Sequence, residues 1–134
     1  MRPSYLLDTN TASYVIKGNF PAVRLHLAQV PMEQIQISSI TEAELRYGAA
    51  RLPNATKLHQ IIEEFLLRVT MLAWDSKAAQ EYGSLRASLE RSGQPIGNLD
   101  MMIAAHALAV GAILVTNDRA FARIKKLKTE NWTA

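Results

Sequence analysis

The sequence contains no cysteine. Disulfides, zinc–cysteine centres and thiol catalysis are excluded within this chain. No sign of a disulfide-stapled secreted scaffold remains. Aromatic residues make up only 7% and are scattered, which argues against a stacking platform for single-stranded nucleic acid. There is no phosphate-cradling glycine-rich loop and no zinc-spaced histidine pair. Serine and histidine nucleophile schemes find no support. The start, Met1 to Asp8, has too short an apolar run for a signal peptide. The longest stretch without Asp, Glu, Lys or Arg runs from Met101 to Asn117, contains His106 and is punctuated by Gly111. A buried helix followed by a buried strand explains it better than a membrane span. The chain reads as soluble and cytoplasmic, with no membrane partner.

What is present is ordinary for a globular protein: 49% hydrophobic and 20% charged residues over 134 positions. That length reads as one domain, residues 1–134, with chain enough for a substantial core. The net charge of +3 and pI near 9.4 are mildly basic. They permit nucleic-acid binding without establishing it. The nine arginines and six lysines suit phosphate contact and surface ion pairs equally.

No repeat, low-complexity tract or linker is visible. Strand and helix signals alternate, which predicts an α/β fold with a mainly parallel sheet. Strands are expected at Ser4–Leu7, Gln34–Ser38, Thr70–Trp74 and Ala112–Val115, with a last edge strand at Thr129–Trp132. Helices are expected at Ala12–Lys17, closed by Gly18, and at Pro21–Gln29, with proline in the first turn. Another begins at the capping-box pattern Ser39-Ile40-Thr41-Glu42 and stops before Pro53. A fourth spans Ala55–Val69 with a broad apolar face. Asp75 caps a fifth, which carries Ala78, Ala79, Tyr82, Leu85 and Leu89 and stops at Gly93. Gln94–Asn98 reads as a loop. The Asp100 helix ends at Gly111, and a short helix covers Arg119–Ile124.

Three of the four aspartates fall at special places in this pattern. Asp8 follows the first strand, Asp118 follows Val115 through Thr116-Asn117, and Asp100 opens an apolar helix. Carboxyl ends of parallel strands converge on one crevice in an open α/β sheet. Clustered carboxylates repel and are costly to desolvate. A hard cation such as Mg²⁺ offsets both effects and selects oxygen ligands. Such an ion can activate water and stabilise a phosphoryl transition state.

Each acid also has a plainer role. Asp8 and Asp118 suit helix caps or Asx-turns, and Asp100 suits a first-turn acid on the helix dipole. The three plain roles weaken together, because the topology brings all three to one rim. Glu42 and Glu44 point about 200° apart on their helix. Glu42 pairs with Arg46 at i, i+4 and faces solvent. Glu44 lies on the arc of Ile40, Thr41, Tyr47 and Gly48, where a carboxylate needs a partner or a metal. Glu44 is therefore the fourth candidate acid. Thr9, Asn10, Thr116 and Asn117 flank two of the acids and can orient a water or a ligand; ordinary turn chemistry explains them as well. His106 lies about 240° around the helix from Asp100 and is rejected as ligand or base. His26, His59 and Asp75 read as structural.

The pieces Leu7-Asp8-Thr9-Asn10, Ile37-Ser38-Ser39-Ile40-Thr41-Glu42-Ala43-Glu44-Leu45-Arg46-Tyr47-Gly48-Ala49, Pro95-Ile96-Gly97-Asn98-Leu99-Asp100-Met101-Met102-Ile103-Ala104 and Leu114-Val115-Thr116-Asn117-Asp118-Arg119-Ala120-Phe121 occur in this order. With the ending Leu127-Lys128-Thr129-Glu130-Asn131-Trp132, they span essentially the whole chain. Together they resemble PIN-domain ribonucleases, specifically the VapC-like toxins of bacterial toxin–antitoxin pairs.

The resemblance implies a three-layer sandwich, with a mainly parallel central sheet between helices. It implies that Asp8, Glu44, Asp100 and Asp118 bind one or two Mg²⁺ or Mn²⁺, supported by Thr9, Asn10 and Thr116. It implies an RNA substrate cut by metal-activated water, with initiator tRNA in the anticodon region preferred. It further implies a homodimer and a small antitoxin whose tail fills the groove. The helices around Pro21–Gln29 and Ala55–Val69 are the expected groove walls, with an antitoxin segment docking as a helix. Of the basic residues, Arg46, Arg51, Arg86, Arg91, Arg119, Arg123 and Lys125-Lys126 are candidates for the RNA backbone. Two rival functions share the fold. A phosphoryl-acceptor or phosphatase domain needs a nucleophilic Asp beside a Lys, and no strand-end Lys is clearly placed here. A catalytically inactive interaction module needs no intact acids.

Overall fold

The computed structural model describes residues 3–134; Met1 and Arg2, the start of the segment considered above as a signal peptide, lie outside them. Five short strands form one sheet: β1 (Tyr5–Leu7), β2 (Ile35–Ser38), β3 (Thr70–Leu72), β4 (Ile113–Val115) and β5 (Thr129–Glu130). Their order is β3-β2-β1-β4-β5, and every neighbouring pair is parallel. The helices are α1 (Thr9–Lys17), α2 (Pro21–Gln29), α3 (Ser39–Ala50), α4 (Thr56–Arg68), α5 (Ser76–Arg91) and α6 (Asn98–Val110). Arg119–Arg123 and Met32–Gln34 are 3₁₀ turns.

Strand periodicity sorts the core into two layers. Leu6 and Leu114 pack with Leu85, Leu89, Met101 and Phe121 on one face of the sheet. Leu7, Ile35, Ile37 and Val115 pack with Leu45, Ile62, Phe65 and Trp132 on the other. The order reverses at β1: the chain builds outward to β2 and β3, then returns to β4 on the opposite side. A crevice therefore opens at the carboxyl ends of β1 and β4, and the register Leu7↔Val115 holds those ends level.

The structure corrects several local expectations. α1 starts at Thr9 rather than Ala12, because the Asp8 carboxylate accepts from the Thr11 N–H at 2.8 Å. The Ser39–Glu42 capping box does not form. Ser38 caps α3 by accepting from the Ile40 N–H at 3.1 Å, and Glu42 turns to Arg46. α6 begins at Asn98, inside the expected loop, because Gly97 O accepts from the Met101 N–H at 2.9 Å. β3 ends at Leu72, short of Trp74, whose N–H donates to Ser39 Oγ at 3.0 Å. On α5, Ala78, Leu85 and Leu89 are buried and Ala79 is exposed. β5 stops at Glu130, and Trp132 folds back into the core, where it meets Tyr5 and stacks on His26.

Candidate functional site

Asp8 is the buried acid of the crevice. It leaves the end of β1, its N–H donates to Val115 O at 3.1 Å, and its side chain is locked as the cap of α1. Thr11 braces the same junction by donating its hydroxyl to Val115 O at 3.0 Å. Asp118 stands on the β4 side. Its Oδ1 accepts from the Ala120 N–H at 2.9 Å, and its own N–H donates to Thr116 Oγ1 at 3.0 Å. The buried Thr116 hydroxyl also favours the ionised Asp8 carboxylate, so one threonine acts on both acids. Glu44 reaches in from α3, where the Thr9 hydroxyl donates to Oε1 at 2.5 Å. Thr41, fully buried, lies 3.3 Å from the Thr9 hydroxyl and fixes that rotamer. Asp100 sits in the first turn of α6.

The four acids share one electrostatic neighbourhood. Burial pushes the Asp100 carboxyl above its ordinary 3.8, and the charges of Asp118, Asp8 and Glu44 push it further. Burial also raises Asp8. Bonds from Thr116 and Thr11 oppose that rise, and Asp118 adds to it. Burial and other carboxylates act on both acids, and hydroxyl and backbone donors act on Asp8 alone. Among the described residues, no ion pair involves Asp8, Glu44, Asp100 or Asp118. No three acidic or histidine side chains there stand close enough to hold one ion between them. The donor set is nonetheless all oxygen and net anionic, which fits a hard divalent cation and no softer metal.

The flanking residues divide. Thr9 and Thr116 bond directly to site acids. Asn10 is exposed on a cleft that also takes in Thr9 and Glu44. Asn117 instead donates to the Tyr14 hydroxyl on α1 at 3.3 Å. Glu42 faces outward, paired with Arg46 at 2.7 Å, as its helical phase predicts. His59 bonds Leu52 O and Asp75 caps α5, both structural. His106 is buried against Ser38 and touches none of the acids. Sequence reasoning missed Thr11 and Thr41. Their only signal is a hydroxyl three residues after Asp8 and another three before Glu44.

The PIN domain model matches residues 5–127. The chain belongs to the PIN-domain family. Within it the chain is VapC-like. It is 43% identical to a "Ribonuclease VapC2" of Haemophilus influenzae, over 96% of this chain and 97% of the relative. It is 40% identical to a "tRNA(fMet)-specific endonuclease VapC" of Shigella flexneri, over 96% and 98%. Among solved structures, DNA-bound VapBC from Salmonella typhimurium superposes with a TM-score of 0.91 at 37% identity, covering 98% of this chain and 99% of that one. VapBC2 from Rickettsia felis, bound to a promoter DNA fragment, gives 0.86 at 38%, covering 96% and 98%. The PIN fold places the acid crevice at its switch point, between the carboxyl ends of β1 and β4.

Proposed function

We propose that this PIN domain is a metal-dependent endoribonuclease toxin, with Asp8, Glu44, Asp100 and Asp118 as the acids that hold Mg²⁺ or Mn²⁺. The observation that carries the reading is the convergence of four carboxylates with no protein cation paired to them. Bound there, the ion would supply an activated water and charge relief on the phosphoryl oxygens. The Thr9 hydroxyl holds the Glu44 carboxylate, and the Thr11 and Ala120 N–H groups hold those of Asp8 and Asp118, so three carboxylates are aimed before substrate arrives. The phosphoryl-acceptor alternative needs a lysine beside the nucleophilic aspartate, and no lysine acts on Asp8 or Asp100.

The substrate reading is a tRNA, with the initiator tRNA anticodon region preferred; the Shigella relative's name supports it. Half of the candidate cations are engaged elsewhere. Arg46 is held by Glu42 and Glu63, Arg86 by Glu90, Lys126 by Glu81, and Arg123 by Pro95 O. Lys17 and Arg51 are free of ion pairs among the described residues and line the cleft that ends at Glu44. Arg51 lies over the exposed Tyr47 ring, 5.4 Å from its centroid. Arg119 neighbours Asp118 on the other side. These cations would hold the RNA backbone on either side of the acids.

The partner reading is a small antitoxin, supported by the VapBC complexes among the similar structures. A largely apolar groove of about 280 Å³ lies between α1, α2 and α4, lined by Ile16, Leu27, Ile61 and Phe65 and edged by Glu64 and Arg68. It suits an amphipathic helix. We place the protein in the cytoplasm as a homodimer; no described helix is long and apolar enough to cross a membrane. Mapping RNA 5′ ends after brief expression in cells tests the substrate. New ends should accumulate in the anticodon region of initiator tRNA. Ends confined to other RNAs would overturn that substrate, and no new ends at all would overturn the nuclease.

A further inference from the structure

α3 carries Glu44 and α6 carries Asp100, and the two helices pack against each other. Their separation therefore sets how far apart two of the four acids stand. Within an apolar layer, polar bonds fix it. His106, six residues along α6 from Asp100 and 1% exposed, places Nδ1 2.8 Å from Ser38 Oγ, the cap of α3. The indole N–H of Trp74 donates to Met102 O on α6 at 2.9 Å, and its backbone N–H donates to Ser39 Oγ on α3 at 3.0 Å. Ser38 and Trp74 thus tie the first turn of α3 to the Asp100 half of α6 through directional bonds. Apolar packing alone tolerates small sliding, whereas a hydrogen bond weakens steeply with distance and angle.

We infer that His106, with Ser38 and Trp74, is a positioning device that sets the Glu44–Asp100 separation for the metal. It touches neither the acids nor the substrate, so it acts only through the two helices. Ser38 Oγ already accepts from the Ile40 N–H. Its hydroxyl proton is then free to be donated to His106 Nδ1, in the tautomer that carries the ring proton on Nε2. Burial lowers the His106 pKa, with Asp75 opposing, and a neutral imidazole is the form that accepts there. The residue rejected as ligand or base becomes the link between the ligand-bearing helices.

The inference rests on the metal-dependent ribonuclease reading, and the test separates the two. His106→Leu removes the acceptor while keeping an apolar filling. His106→Asn keeps a polar group near the Nδ1 position. Trp74→Phe removes the indole N–H and part of the ring while keeping an aromatic side chain and the backbone N–H. The readouts are the thermal shift produced by Mn²⁺ alone, and kcat and KM for RNA cleavage. Lost support around ligands typically reduces metal affinity or activity by about 10–100-fold. His106→Leu should therefore need about tenfold or more Mn²⁺ for the same shift and lose kcat by a similar factor, with KM for RNA within about twofold. His106→Asn should recover most of both, and Trp74→Phe should move them in the direction of His106→Leu. If His106→Leu does not fold, Trp74→Phe and His106→Asn carry the test. A normal Mn²⁺ shift and kcat in His106→Leu and Trp74→Phe would overturn the inference. So would an Asn variant no better than the Leu variant, because the role would then be packing. A wild-type protein that shows neither a Mn²⁺ shift nor cleavage overturns the functional reading instead.

Discussion

Asp8→Asn should melt at or above the wild-type temperature in EDTA while losing at least about a hundredfold in RNA cleavage, more than the 10–100-fold typical of groups that only support ligands. Asp8 has two jobs in the structure. One oxygen caps α1 through the Thr11 N–H, and the carboxylate faces Asp118 and Asp100. Asparagine caps a helix about as well as aspartate, so the first job survives. The charge does not survive, and the charge is what a metal needs. Burial and Asp118 raise the Asp8 pKa in the folded protein. A raised carboxyl pKa means that the native state binds the proton more tightly than the unfolded state does. At neutral pH the ionised Asp8 therefore subtracts from stability, and Asn relieves that. As pH falls through the folded value toward the ordinary 3.8, the wild type regains this stability and the gap between the two proteins closes. Mg²⁺ should reverse the order near neutral pH by stabilising the wild type through mass action. Asp8→Ala should melt below Asp8→Asn by about 1 kcal/mol, the worth of the cap. Paired melts in EDTA and Mg²⁺ across pH, beside one cleavage assay, check this. An Asn variant that melts early in EDTA and cuts normally would leave Asp8 as a cap alone.

Thr116→Val should lose both stability and activity although its shape is nearly unchanged. The hydroxyl, on a residue 5% exposed just after β4, accepts the Asp118 N–H at 3.0 Å and favours the ionised Asp8 carboxylate. A valine leaves the Asp118 N–H without its acceptor and removes the hydroxyl beside Asp8. The expected stability loss is about 1–3 kcal/mol. Metal affinity and cleavage should fall by roughly 10–100-fold. Thr116→Ser should restore most of each, because it returns the oxygen without the methyl. Denaturant melts and a Mg²⁺ titration of cleavage measure the two losses. A valine variant with wild-type metal response would mean that Thr116 is only a turn residue.

Much of this was legible in the sequence because the signals are local and periodic. Apolar alternation marked Ile35 and Ile37, and the 3.6-residue phase separated Glu44 from Glu42; both readings match the placements found. Strand-end aspartates read as crevice residues because parallel strands bring their carboxyl ends together. Cap and ligand are compatible roles for Asp8, because a carboxylate has two oxygens and one suffices for the cap. α1 begins at Thr9, ahead of the expected Ala12, since Thr9 and Asn10 are weak helix formers that also suit turns and carry no helical signal. Adjacent serines hid which one caps α3, since either satisfies the pattern. Contacts across long sequence separations left no local trace: His106 with Ser38, Asn117 with Tyr14, and Trp132 returning to His26. The engaged cations were equally hidden, because ion pairing depends on which helix faces which.

The most direct test of the central claim is cleavage of a tRNA by the purified protein, first dialysed against EDTA and then titrated with Mg²⁺ and, separately, with Mn²⁺. The four-carboxylate crevice predicts no cleavage in EDTA and recovery with either ion. Full cleavage in metal-free buffer would contradict it.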